Sequence, residues 1–173
     1  MATTSEGGYD IRLARQEDLP RLRQIRVTVA NPEGKSARKG FADAIERGEV
    51  LIMERSDGRG APPTLLGFIE WRTRSDGSVA IRDFGTAGDQ PDPVIIKRLV
   101  REMLRLVPAG PGEVELKTRA NLEPWTTIVS ELPGFEVSER EFSRGTWWTI
   151  WTWKGEPAPR RPERRPERSR PRR

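Results

Sequence analysis

Apolar positions along this chain change period several times, and each change marks an element. The clearest case spans residues 78–107. Residues 79–85 alternate as a strand, residues 86–92 form a turn-rich loop, and from Pro93 a helical period takes over. Ile95, Ile96, Leu99, Val100, Met103 and Leu104 make its apolar stripe, while Lys97, Arg98, Arg101, Glu102 and Arg105 point the other way. Asp92 suits the N-cap, and Pro93 suits the first helical position, where its missing N–H costs nothing. A strand feeding a helix N-terminus exposes backbone N–H groups, which suits a phosphate or another anion. The same pattern also describes an ordinary α/β unit without a ligand.

The rest of the chain divides by the same rule. Residues 9–15 alternate as a first strand with Ile11 and Leu13 on one face. Asp18 caps an expected helix running to about Val29, with Leu22, Ile25 and Val29 as its buried stripe and Pro20 in its first turn. Asn31-Pro32-Glu33-Gly34 breaks the chain. A second helix is expected from a Ser36 cap to Arg47, with Phe41 and Ile45 one turn apart. Strands follow at 49–55, 64–74 and 79–85, joined by the glycine-rich turn at 56–60 and by Ser75-Asp76-Gly77-Ser78, whose Asp-Gly pair favours a tight hairpin. These three are expected to be sequential and antiparallel. After the long helix come a strand at 113–118, a short helix at 121–132 begun near Asn121, and a hairpin of 135–142 with 145–153. A helix crossing between the fourth and fifth strands favours a parallel pair. The fold class is α+β, a mixed, mostly antiparallel seven-stranded sheet with helices on both faces.

Composition narrows the chemistry. Histidine and cysteine are absent, which removes thiolate nucleophiles, Ser-His-Asp triads and His- or Cys-ligated zinc. Proton transfer must fall to Asp, Glu, Lys, Tyr, a terminus or water. The net charge of +5 is uneven. Residues 155–173 hold eight Arg and three Glu; taking these from the 31 basic and 26 acidic residues leaves 23 of each sign in the body. No secretory or membrane-spanning run is visible, so a cytoplasmic location is the expectation. Residues 1–8 and 155–173 are expected to be disordered, the latter with polyproline character, flanking one domain at 9–154.

The order of elements, with the residues at their joints, resembles the GCN5-related N-acetyltransferase (GNAT) superfamily. The matching stretches are Ile11-Arg12-Leu13-Ala14 followed by Glu17-Asp18-Leu19-Pro20, then Leu66-Gly67-Phe68-Ile69, and Asn121 leading through a short helix to Gly134-Phe135. The resemblance implies that the fourth and fifth strands splay apart and that acetyl-CoA, the acyl donor, lies in the wedge. Its pyrophosphate would sit at the helix N-terminus, at Asp92, Pro93 and Val94, with Phe84, Gly85, Thr86 and Asn121 as further cofactor contacts. Asn121 has a plainer role as a helix cap. The phosphate loop departs from the family pattern: Ala87-Gly88-Asp89-Gln90-Pro91-Asp92-Pro93-Val94 has one glycine, two prolines and two aspartates where a basic glycine-rich loop is usual. The tyrosine that many members use to protonate the CoA sulfur falls on or near Ser130.

The implied reaction is direct attack of an amine, borne by a small molecule or peptide, on a thioester. Asp83 and Glu70 are the candidate bases, because each interrupts an apolar strand. The alternative is that alternation turns both to solvent, with Asp83 paired to Arg82 or Arg72. No metal site is assigned. Trp147, Trp151 and Trp153 share one face of the last strand, Trp148 and Ile150 the other; core packing accounts for one face, and a homodimer, an acceptor wall or a stacking platform for the second. The arginine-rich tail suits weak electrostatic contact with nucleic acid or anionic lipid, or serves as a solubilising extension. Two functions follow: an acyl-CoA-dependent N-acyltransferase, or a catalytically inactive GNAT-fold binding or dimerisation module.

Overall fold

The computed structural model describes residues 8–35, 40–58 and 60–155. The proposed disorder at 1–7 and 156–173, and the Ser36 cap, lie outside the described residues. Seven strands form one sheet: β1 (Tyr9–Leu13), β2 (Val50–Arg55), β3 (Thr64–Thr73), β4 (Val79–Thr86), β5 (Val114–Arg119), β6 (Phe135–Ser143) and β7 (Thr146–Trp153). Their order across the sheet is β1-β2-β3-β4-β5-β7-β6. All neighbours are antiparallel except β4 and β5, which are parallel, as a crossover helix requires.

Among the described residues, four helices cover the two faces: α1 (Leu19–Leu22), α2 (Phe41–Glu46), α3 (Pro93–Leu106) and α4 (Trp125–Ser130). On one face Ile96, Leu99, Val100 and Met103 of α3 pack with Trp125, Ile128 and Val129 of α4 on Ile69, Trp71, Ile81, Phe84 and Leu116 of the sheet. On the other, Leu22 and Phe41 close over Val50, Ile52 and Phe68. The helical stripe on α3 is thus the larger core's lid, and the hydrophobic effect fixes its rotation.

Three elements depart from the sequence-based expectation. The first helix does not reach Val29. A 3-10 turn (Gln16–Asp18) leads into α1, which ends at Leu22, and residues 25–27 carry no regular structure before Thr28 bridges to Gly85 of β4. Ile25, Val27, Thr28 and Val29 are β-branched, a run that favours extended backbone, and β4 offers it an unpaired edge. The second helix begins at Phe41. The short helix before Gly134 begins at Trp125 with Pro124 as N-cap, so Asn121 does not cap it; Asn121 sits instead in a left-handed turn at φ 59°.

Beneath α1 lies an alternating charge cluster. The Arg12 guanidinium donates to Asp18 at 2.8 Å and 3.0 Å and to Glu54 at 2.9 Å. Arg21 donates to Glu54 at 3.1 Å and also to Asp18. Asp18 is 1% exposed. Burial pushes its carboxyl up, but the hydrogen bonds from Arg12, the Arg15 amide and Arg21 outweigh burial and hold it well below the usual carboxylate range.

Candidate functional site

The pairing of β4 with β5 stops early. Val79, Ala80 and Ile81 align with Val114, Glu115 and Leu116, and beyond them β4 continues to Thr86 without β5. The last residues of β5 keep only the ladder to β7 on its other edge, which runs on to Arg119 opposite Trp148. A wedge therefore opens between the two parallel strands at their C-terminal ends, next to the start of α3.

The strap of residues 27–31 fills this wedge from the β4 side. Val29 N–H donates to the Phe84 carbonyl at 3.0 Å. The Thr28 hydroxyl donates to one oxygen of Asp83 and the Ala30 N–H to the other, both at 3.0 Å. Side chains along the strap alternate as in a strand: Thr28 turns to Asp83, while Val29 enters the large core with Phe84 and Trp125. Phe84 and Trp125 meet edge to face at 5.9 Å. Gly85 permits the approach, since a Cβ there would lie 2.9 Å from the Thr28 methyl and 3.1 Å from the Val27 carbonyl. Glu33, just past the strap, reaches Arg119 of β5 at 3.8 Å, which ties this segment to the other side of the wedge.

Asp83 and Glu70 are cross-strand partners on the α1–α2 face, and both are buried. The sequence pairs Asp83 with an adjacent arginine or with solvent; in the structure its acceptors hold the strap. Ser130 is exposed on the outer side of α4 and donates to the Thr127 carbonyl at 2.7 Å. Asn121 lines a separate cleft of about 630 Å³ with Arg119, Arg140 and Trp147. The wedge thus gathers Asp83, Phe84, Gly85 and Thr86, with Glu70 beside them; Ser130 lies apart.

The pyrophosphate position does not fit an anion in this conformation. Pro93 has no N–H, the Val94 and Ile95 amides donate to the Asp92 carboxylate at 2.9 Å and 3.4 Å, and Ile96 N–H donates to the Asp92 carbonyl. Asp92 is itself fixed, its amide donating to the Thr86 hydroxyl at 2.9 Å. One carboxylate has thus taken the donors that a phosphate would need, and its charge opposes a second anion. Thr28, Val29 and Ala30 are the residues at the wedge that the helical reading of 18–29 did not place there. The signal was the β-branched run.

No family model matches the sequence, and no curated protein matches it either. Solved structures do match. A GNAT-family acetyltransferase from Bacillus cereus ATCC 10987 superposes with a TM-score of 0.66 at 16% identity, covering 86% of this chain and 98% of its own. A candidate streptothricin acetyltransferase from Bacillus anthracis, solved with acetyl coenzyme A, gives 0.65 at 15% identity, covering 86% and 99%. The ribosomal-protein-S18-alanine N-acetyltransferase from Escherichia coli gives 0.57 at 13%, covering 87% and 97%. The class is an α+β domain built on a sheet that parts between its two parallel strands. Its fold is that of the GCN5-related N-acetyltransferases, which the sequence resemblance anticipates.

Proposed function

We propose that the protein is an acyl-CoA-dependent N-acyltransferase whose donor enters the wedge between β4 and β5. The observation that supports this reading is the parting of the two strands after Ile81 and Leu116, within a sheet ordered like that of solved acetyltransferases. Phe84, Gly85 and Thr86 form the β4 wall of that wedge, and the acceptor is an amine on a small molecule or peptide. The donor's seat becomes available only when the strap leaves Phe84 and the Asp92 carboxylate turns away from Val94. Affinity for acetyl-CoA is accordingly weak. Asp83 is the carboxylate placed to accept a proton, and it too is released only with the strap; Glu70 lies beside it.

A second reading, a GNAT-fold module that binds or dimerises without turnover, is favoured by one specific observation: Asp92 satisfies the amides at the start of α3. The arginine-rich tail adds electrostatic contact with nucleic acid in either reading; truncation after Gly155 should then abolish salt-sensitive RNA retention. Calorimetric titration of the full chain with acetyl-CoA separates the two readings, together with thiol release in the presence of a polyamine, an amino sugar and an N-terminal-alanine peptide. Binding with amine-dependent thiol release supports the enzyme. Absence of binding at millimolar acetyl-CoA, in both wild type and Asp92→Ser, overturns it in favour of the module.

A further inference from the structure

A second cavity, of about 460 Å³, lies at the opposite end of the sheet from the wedge, where β5 begins and β7 ends. Its size falls within the range of small-molecule sites. Val100, Leu104, Pro111, Pro133 and Trp153 give it an apolar lining. Lys97, Arg101 and Arg105 stand along one row of α3, four residues apart, and Lys154 joins them from the end of β7. Arg105 is partly neutralised by Glu102 at 2.6 Å. Among the described residues, no carboxylate pairs with Lys97, Arg101 or Lys154.

The wall carries one more unspent donor. Trp153 Nε1 is buried and has no hydrogen-bond acceptor among the described residues. A buried indole N–H without a partner loses its hydration with nothing in return, so native proteins rarely leave one. The wall is held firmly around it. Gly112 N–H donates to the Trp153 carbonyl and Lys154 N–H to the Gly134 carbonyl, both at 2.7 Å. Gly134, at φ 81°, leaves no room for a side chain, since a Cβ would lie 2.2 Å from the Gly155 carbonyl and 3.0 Å from the indole nitrogen.

We propose that this cavity binds a small amphipathic carboxylate, its apolar body on Val100, Leu104 and Trp153 and its charge among Lys97, Arg101 and Lys154. Charge-assisted hydrogen bonds from a cation row are the strong kind, and an apolar lining beneath them selects against a bare inorganic anion. The chain's own tail is a poor occupant, because the residues after Gly155 carry eight Arg against three Glu and meet like charge. The site stands apart from the wedge and does not depend on acyl transfer.

The test uses the full chain labelled with ¹⁵N, titrated with naphthalene-2-carboxylate and, in parallel, with neutral naphthalene-2-methanol. The acid should bind at least about tenfold more tightly than the alcohol and shift the indole N–H signal that is missing from Trp153→Phe. Arg101→Glu should weaken the acid about tenfold or more, whereas Arg98→Glu, on the same helix but outside the cavity, should change it less than about threefold. Removal of residues 156–173 should leave affinity within about twofold. Equal binding of acid and alcohol, an unmoved Trp153 signal, or equal effects of the Arg98 and Arg101 changes would each overturn the proposal. So would a large gain in affinity on removing the tail, which would make the tail the occupant.

Discussion

Thr28 and Asp83, 55 positions apart, are joined by a buried hydrogen bond of 3.0 Å, and the second Asp83 oxygen holds the Ala30 amide at the same distance. One carboxylate thus fixes an extended segment in the gap where the sheet parts. Its removal leaves the buried Thr28 hydroxyl and the partly buried Ala30 amide without this acceptor, at about 1–3 kcal/mol for the buried donor and less for the other.

Asp83→Ala should therefore lower unfolding free energy by about 2–4 kcal/mol and speed hydrogen exchange at Val29 and Ala30 more than at β2. Gly85→Ala should act on the same segment by steric push, at about 1–3 kcal/mol. Unchanged exchange at Val29 in both variants would show that the strap is held by something else.

The self-capped start of α3 makes a separate prediction about charge. Asp89→Lys should tighten acetyl-CoA binding roughly fivefold at low salt, about 1 kcal/mol, and the gain should shrink as salt rises. Asp92→Ser, which keeps a capping oxygen while removing the charge, should tighten it further. Calorimetry at two ionic strengths checks both. If neither variant alters affinity in a wild type that does bind, the pyrophosphate lies elsewhere.

Acid stability should depend on Asp18. Its carboxyl is held below its unfolded value, so it contributes stability that is fully present above about pH 4, the ordinary carboxylate value. That contribution is lost as pH falls below this point toward the depressed folded value. Asp18→Asn should cost about 3 kcal/mol at neutral pH, because Arg12 and Arg21 lose a buried partner, and should flatten the decline between about pH 4 and pH 2. Denaturant midpoints across that range supply the measurement.

The last strand gives the dimer proposal a clean pair of variants. Trp151 is buried and donates through Nε1 to the Thr118 hydroxyl at 2.9 Å, so Trp151→Glu should prevent folding. Trp148, on the opposite face and half-exposed, should tolerate glutamate and yield a folded monomer by light scattering, if that face joins two copies. A wild type that is monomeric at high concentration removes the dimer. Trp147 shares the face of Trp151 yet is 57% exposed, with the Phe142 ring 5.3 Å away.

The sequence was readable wherever local preference and tertiary packing agreed. Asp92-Pro93 and the apolar stripe behind it placed α3 correctly, and Asp76-Gly77 placed the β3–β4 turn. Residues 25–29 were misread because Leu22, Ile25 and Val29 also match a helical stripe, while the edge that pairs with them lies more than fifty residues downstream. The partners of Asp83 were hidden for the same reason. Asn121 looked like a cap by residue type, but its left-handed turn serves the exit from β5.

The short β4–β5 pairing has a mechanical consequence. β1 and β6 are the two outer edges of the sheet, so a load applied between them must cross every strand junction. Most junctions are long antiparallel ladders, whereas β4 and β5 share three register pairs. That junction is the seam of the molecule, with the strap and the Glu33–Arg119 pair as its stitching and the cores under α3 and α4 as its backing. Under tension across the sheet, the chain should tear there first, into a β1–β4 piece and a β5–β7 piece, before either ladder yields.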